Sequence, residues 1–320
     1  MTEGTLYHNA SLRGKMRSSS RLLSSIGNNP IVKLTAIVPE DCAEVHVLLD
    51  YLNPSGSVKD RIAKYMVERA EERGELHPGD RIVEATSGNT GIAFAMIGAV
   101  KGYKVTIVMP EQMSKERKAL IEALGADIVC TPGCGSDVGL AMAKVKEIQA
   151  ADPRVWVPDQ FSSEDNSRAH ETTTGPELVR GVGRDISAFV AGVGTGGTLM
   201  GVAKYFQEEN IDADIVAVEP AESAVMSGGE KGCHQIEGIG DGFIPPLMKM
   251  AIVDRVEVVA SDEAIEMSLM LMREEGIMGG ISTGANVAAA MRLARELGPG
   301  KKVVTLAPDS CTRYFSTALF

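Results

Sequence analysis

Three short stretches carry residue types suited to chemistry on a small anionic molecule. The first, "NPSGSVKDR" at residues 53–61, sets Lys59 behind a run of small and turn-forming residues. A lysine withdrawn from water loses basicity and becomes a nucleophile toward carbonyls. A nucleotide-clamping loop is excluded, because GxxxxGK[ST] is not met: the glycine is Gly56 and Asp60 follows the lysine. Taken alone, the stretch reads equally as an exposed lysine at a helix start. The second, "TSGNTG" at 86–91, follows an apolar run and opens a helical pattern. Its N–H groups, with Thr86, Ser87, Asn89 and Thr90, would face an anion such as a carboxylate. A helix cap needs one such residue and this loop has four, which favours binding over capping. The third, "GVGTGGT" at 192–198, meets GxGxxG through Gly192, Gly194 and Gly197, and Glu219 lies where a dinucleotide fold places its ribose-binding acid. By its chemistry alone the loop says that a phosphate can rest on exposed amides.

These stretches need elements to hold them. Val- and Ile-rich runs ("EVHVLLDY", "DRIVEAT", "KVTIVMP", "DIVCTP") alternate with helical patterns, and a second series follows ("ISAFVAGV", "DIVAVEP", "KVVTLAP"). The alternation predicts an α/β fold of two lobes, each a mostly parallel twisted sheet flanked by helices, with ligands at the carboxyl ends of strands. A chain of 320 residues is long enough for both.

Composition narrows the partners. A net charge of -11 argues against binding nucleic acid. The apolar run "GIAFAMIGAV" is too short to span a bilayer, and the polar first 20 residues read as a loose arm with no export signal. Cys42, Cys130, Cys134, Cys233 and Cys311 form no CxxC pair or metal-ligand spacing, so reduced thiols in the cytoplasm are expected.

In combination the motifs say more. "NPSGSVKDRIA", "EATSGNTGIA", "GVGTGGTLMGV", "EGIGDGFIP" and "GISTGANVAAA", in this order, resemble the cysteine synthase and cystathionine β-synthase family of fold type II pyridoxal phosphate enzymes, whose lobes resemble tryptophan synthase β. The likeness runs from "SSIGNNPIVKL" to the end of the chain. It implies an N-terminal arm (1–20), a small mobile lobe (47–155) and a larger lobe (21–46 with 156–320). It implies that Lys59 forms the Schiff base with pyridoxal 5'-phosphate and that Asn89 bonds the ring hydroxyl. Gly194, Thr195, Gly196, Gly197 and Thr198 would cradle the phosphate, and Ser282 would face the pyridine nitrogen. Thr86, Ser87, Asn89, Thr90, Gln160 and Gly238 would bind the substrate. The implied reaction is a β-replacement through an α-aminoacrylate, making L-cysteine from O-acetyl-L-serine or another activated serine and sulfide, with Lys59 as the base. A homodimer and binding of a serine acetyltransferase C-terminal tail are implied as well; a non-catalytic cofactor-binding partner protein is the distant alternative.

The sequence departs from the family in "KGCHQIEGIGDGFIP", where many cysteine synthases resemble "GPHKIQGIGAGF". Glu237 and Asp241 are the added acids. A carboxylate there could orient or deprotonate water, which gives the alternative of L-cysteine in, sulfide and L-serine out; a thiol acceptor or cystathionine formation is the other variant. Both acids read otherwise as solvated loop residues.

Overall fold

The computed structural model describes residues 21–86, 88–132 and 138–320; the arm expected at 1–20, and Ser87, lie outside them. In chain order the strands are β1 (Ile31–Lys33), β2 (Glu44–Leu48), β3 (Arg81–Ala85), β4 (Lys104–Pro110), β5 (Asp127–Thr131), β6 (Val155–Trp156), β7 (Ala188–Gly192), β8 (Asp214–Pro220), β9 (Arg255–Val259) and β10 (Lys302–Leu306). The helices are α1 (Lys59–Arg73), α2 (Asn89–Lys101), α3 (Lys115–Ala123), α4 (Gly139–Ala151), α5 (Glu164–Thr172), α6 (Thr174–Val182), α7 (Gly197–Glu208), α8 (Ser261–Met270) and α9 (Ile281–Leu297).

Two sheets result, one with order β1-β2-β10-β7-β8-β9 and one with order β5-β4-β3-β6. All described pairings are parallel except β1 with β2. The strands are apolar on both faces because both faces are covered. In β7, Ala188 and Val190 pack on the α9 side while Phe189 and Ala191 pack on the α7 side. In β4, Val105, Ile107 and Met109 join Ile62, Met66 and Ile92 of α1 and α2, and Val108 turns to Ala141 and Val145 of α4. β2 closes at Leu48 in the larger sheet and β6 at Trp156 in the smaller.

Helix α1 carries Lys59 at its first position. Two turns of buried Ile62, Met66, Val67 and Ala70 fix its inward face, and Gly74 ends it at φ 69°. Arg61 adds a polar anchor: its guanidinium bonds Asp50 at 2.7 Å, just past β2, and Glu177 of α6 at 2.6 Å, all three buried. The start of α1 is thereby fastened to the larger sheet.

Among the described residues no helix is long and apolar enough to cross a membrane. Cys42, Cys130 and Cys311 are free, but Cys233 is disulfide-bonded, which corrects the expectation that the thiols are reduced. Spacing along the chain does not report which cysteines a fold brings together.

Candidate active site

The carboxyl ends of β3, β7 and β10 open on one pocket. Lys59, Thr86, Asn89, Thr90 and Gln160 line one side, Gly194, Thr195, Gly196, Thr198 and Ser282 the other, and Glu237, Gly238 and Asp241 the mouth. Helices α2, α7 and α9 all begin there, behind Gly88, Gly196 and Gly280, and none has a side-chain cap. Three helix N-termini thus share one cavity, a strong setting for anions. Gly196 holds φ 80°, a left-handed turn natural to glycine. Gly197 faces away from the cavity: a Cβ there would collide with Asn166, as one at Gly201 would with the Ser167 carbonyl. These glycines let α7 lie against α5.

That close approach has a use. Asn166 Nδ2 donates to the Thr195 hydroxyl at 3.0 Å and to the Gln160 carbonyl at 2.7 Å. His170, fully buried, meets Thr174 through Nδ1 at 2.8 Å and Thr198 through Nε2 at 3.2 Å. Burial, and then the nearby Arg61 and Lys59 charges, push the His170 pKa far below the usual histidine range, so the imidazole is neutral. The glycine-rich loop is therefore pinned by neutral hydrogen bonds from α5. Asn286 Oδ1 accepts from Gly192 N–H at 2.7 Å, and its Nδ2 donates to the Leu306 carbonyl at 2.9 Å, tying β7 to β10.

The mouth is built from charge. Arg117 of α3, 1 % exposed, pairs with Glu237, lies 3.4 Å from Asp309 and stacks 4.7 Å over the Tyr314 ring. Asp309 accepts from Asn89 Nδ2 and from the Tyr314 hydroxyl, both at 2.7 Å. Buried Arg313 donates to Asn89 Oδ1 and to the Ser55 carbonyl. A Cβ on Gly88, at φ 142°, would run into the Arg117 side chain, so the backbone at Gly88 rests on that arginine. Sequence reading passed over Arg117, Asp309, Arg313, Asn166 and Glu84. Glu84 alone left a signal, an acid within an apolar strand run. It is 2 % exposed, accepts from Ala85 N–H at 3.0 Å and Gln160 N–H at 3.4 Å, and burial lifts its pKa to about 8.

Burial lowers the Lys59 pKa, opposed by the negative charges of Asp241 and Asp309. Burial raises Asp241 to about 6, opposed by Lys59. Glu237 is also raised by burial, with Arg117 holding it back. Both acids expected to be solvated or chemical are thus pocket groups, and Asp241 is the one coupled to the lysine.

Pyridoxal phosphate fits this setting. A lysine with a depressed pKa stands at one end, the uncapped start of α7 with its glycine turn at the other, and the neutral Ser282 hydroxyl on the first turn of α9. Asn166 Oδ1 and Asp309 Oδ1 are buried beside the pocket without a partner. Gly194 also packs directly on the backbone of Gly238 at the mouth: a Cβ there would strike the Gly238 carbonyl.

The family description for pyridoxal-phosphate dependent enzymes matches residues 22–309. A cysteine synthase of Staphylococcus aureus is 50% identical over 296 residues, 92% of this chain and 95% of the relative. A hydrogen sulfide-producing enzyme from Fusobacterium nucleatum aligns in structure with a TM-score of 0.89 at 39% identity, covering 93% of this chain and 100% of that one. A cysteine synthase from Entamoeba histolytica gives a TM-score of 0.89 at 36% identity, over 100% of this chain and 94% of its own.

Proposed function

Because the chain belongs to the pyridoxal-phosphate dependent enzymes, we propose that it joins sulfide to an activated serine, O-acetyl-L-serine first among them, to give L-cysteine. The observation that carries this reading is the convergence of three uncapped helix starts and one buried lysine on a single pocket. In this reading Lys59 holds the cofactor, Gly194, Thr195, Gly196, Thr198 and Ser282 seat it, and Asn89 stands at its ring. When bound, the cofactor supplies an electron sink for charge at the substrate α-carbon.

The remaining work belongs to the chain. The start of α2, with Thr86 and Thr90, receives the amino-acid carboxylate, and Thr90 is held by Gln160 Oε1 at 2.7 Å. Lys59 Nζ takes the α-proton and returns it. Its lowered pKa enlarges the neutral amine fraction near pH 7, as a base requires. Arg117 closes the mouth against water by drawing Glu237 toward α3.

A second reading, conversion of L-cysteine to L-serine with release of sulfide, is favoured by Asp241. Its carboxylate stands beside Lys59 and, with a pKa of about 6, is ionised at neutral pH and able to take a proton from water. The family resemblance also supports a cytoplasmic homodimer, and a serine acetyltransferase tail as a partner for the cleft.

The test is product identification from O-acetylserine with sulfide and, separately, from cysteine alone. Cysteine from the first supports the main reading. Serine from the second, rising with pH through about 6 and lost in Asp241→Asn, supports the alternative. Lys59→Ala must remove both activities and the visible absorbance of the linked cofactor; a variant that keeps them sinks the assignment of Lys59.

A further inference from the structure

Behind the mouth lies a second chamber of about 370 Å³, which shares Glu237, Gly238, Ile239 and Asp241 with the pocket. Its outer wall includes Gln112, His234, Gln235, Thr317 and Ala318. Among the described residues lining it are two carboxylates and no lysine or arginine. The cations that face those acids are not free to it: Arg117 is engaged by Glu237 and Asp309, and Lys59, which faces Asp241, lies in the inner pocket. His234 adds no charge: its Nδ1 accepts from Ile236 N–H at 3.2 Å, so Nε2 carries the proton it gives to the Gly240 carbonyl at 2.9 Å.

We propose that this chamber is where the second substrate waits, and that it admits uncharged or cationic small nucleophiles while rejecting thiols that carry a carboxylate. The inference rests on the β-replacement reading and adds the acceptor class. Size does not select, since 370 Å³ exceeds the space of a few waters or a short thiol. Charge does. A carboxylate entering here leaves water for a wall whose described residues offer no cationic partner, and faces Glu237 and Asp241. Hydrogen sulfide pays no such penalty, and an ammonium group gains from the same two acids. The chamber floor is the Asp241 side of the pocket, so its occupant lies beside the reacting centre.

The holoenzyme is first mixed with O-acetylserine until acetate is released, followed by the visible absorbance of the cofactor. It is then challenged with 2-mercaptoethanol, cysteamine or 3-mercaptopropionate, short thiols that are neutral, cationic and anionic. Two variants at exposed positions leave the catalytic groups intact: Gln112→Arg supplies the missing cation and Ala318→Trp narrows the chamber. Because intrinsic thiol reactivity cancels between enzymes, the quantity read is the rate ratio of each thiol to 2-mercaptoethanol. In Gln112→Arg the 3-mercaptopropionate ratio should rise about tenfold and the cysteamine ratio fall, both effects shrinking with salt. Ala318→Trp should slow every thiol while leaving acetate release unchanged. Ratios unmoved by Gln112→Arg, or acetate release slowed as much as thiol consumption in Ala318→Trp, would overturn the chamber's role. Failure of O-acetylserine to change the absorbance of the unsubstituted enzyme would instead overturn the β-replacement reading, and this inference with it.

Discussion

The two ends of the pocket are held in different ways. At the glycine-rich loop the contacts are neutral, made by Asn166 and His170 of α5 to Thr195 and Thr198, all within the elements around the larger sheet. At the mouth they are ionic and join α3, beside the smaller sheet, to Glu237, Asp309 and Tyr314 beside the larger. Neutral bonds between rigid neighbours suit a group that stays. Charged bonds between two lobes can part and re-form around substrates, because each partner has water as an alternative once the cleft opens. The difference assigns permanence to one end and traffic to the other.

Removing the arginine strikes this contrast hardest. Arg117→Met leaves Glu237 and Asp309 in the mouth without their cation, at a cost of about 3 kcal/mol in stability by thermal or denaturant unfolding. It should raise KM for the amino-acid substrate while the cofactor stays bound, and Arg117→Lys should recover part of the loss. Cofactor loss with substrate KM unchanged would break the contrast. Asn166→Ala is the converse. Losing its bonds to Thr195 and Gln160 should cost about 1–2 kcal/mol and speed cofactor release on dialysis, with little change in substrate KM. A pH-dependent test sharpens the picture at Gln160. The Glu84 pKa is raised to about 8 by folding, so its neutral form favours the native state, and stability declines as pH rises from the unfolded value near 4.5 through about 8. Glu84→Gln removes that dependence: the melting temperature of the variant relative to the parent should climb between pH 5 and 8. A difference flat with pH would mean that Glu84 ionises normally.

What the sequence made legible follows from contiguity. Lys59, the 86–91 loop and the 194–198 loop each lie in one run of residues, where turn chemistry and anion binding are local properties. The period of the strands likewise announced two buried, mostly parallel sheets. The ionic mouth is another matter. Arg117 and Asp309 are 192 positions apart, and Arg313 meets Asn89 across 224. Neither arginine departs from the look of a surface residue in "SKERKALIEA" or "SCTRYFST"; only the stacking of one lobe on the other buries them. Glu237 and Asp241 were visible as departures from a pattern, but their unequal standing, one spent on an arginine and one facing the lysine, is a product of that stacking.

The placement of β10 reaches beyond catalysis. This strand follows the other nine described strands in sequence, yet it lies in the middle of the larger sheet, between β2 and β7. During synthesis the strands of that sheet made before it therefore wait with an open seam until β10 emerges. A nascent chain cut short before residue 302 lacks the strand that joins the two halves and also lacks Asp309 and Arg313. Assembly of the sheet and completion of the mouth thus wait on the same residues, 302–313, so a product terminated before them should be an aggregation-prone fragment rather than a weak enzyme.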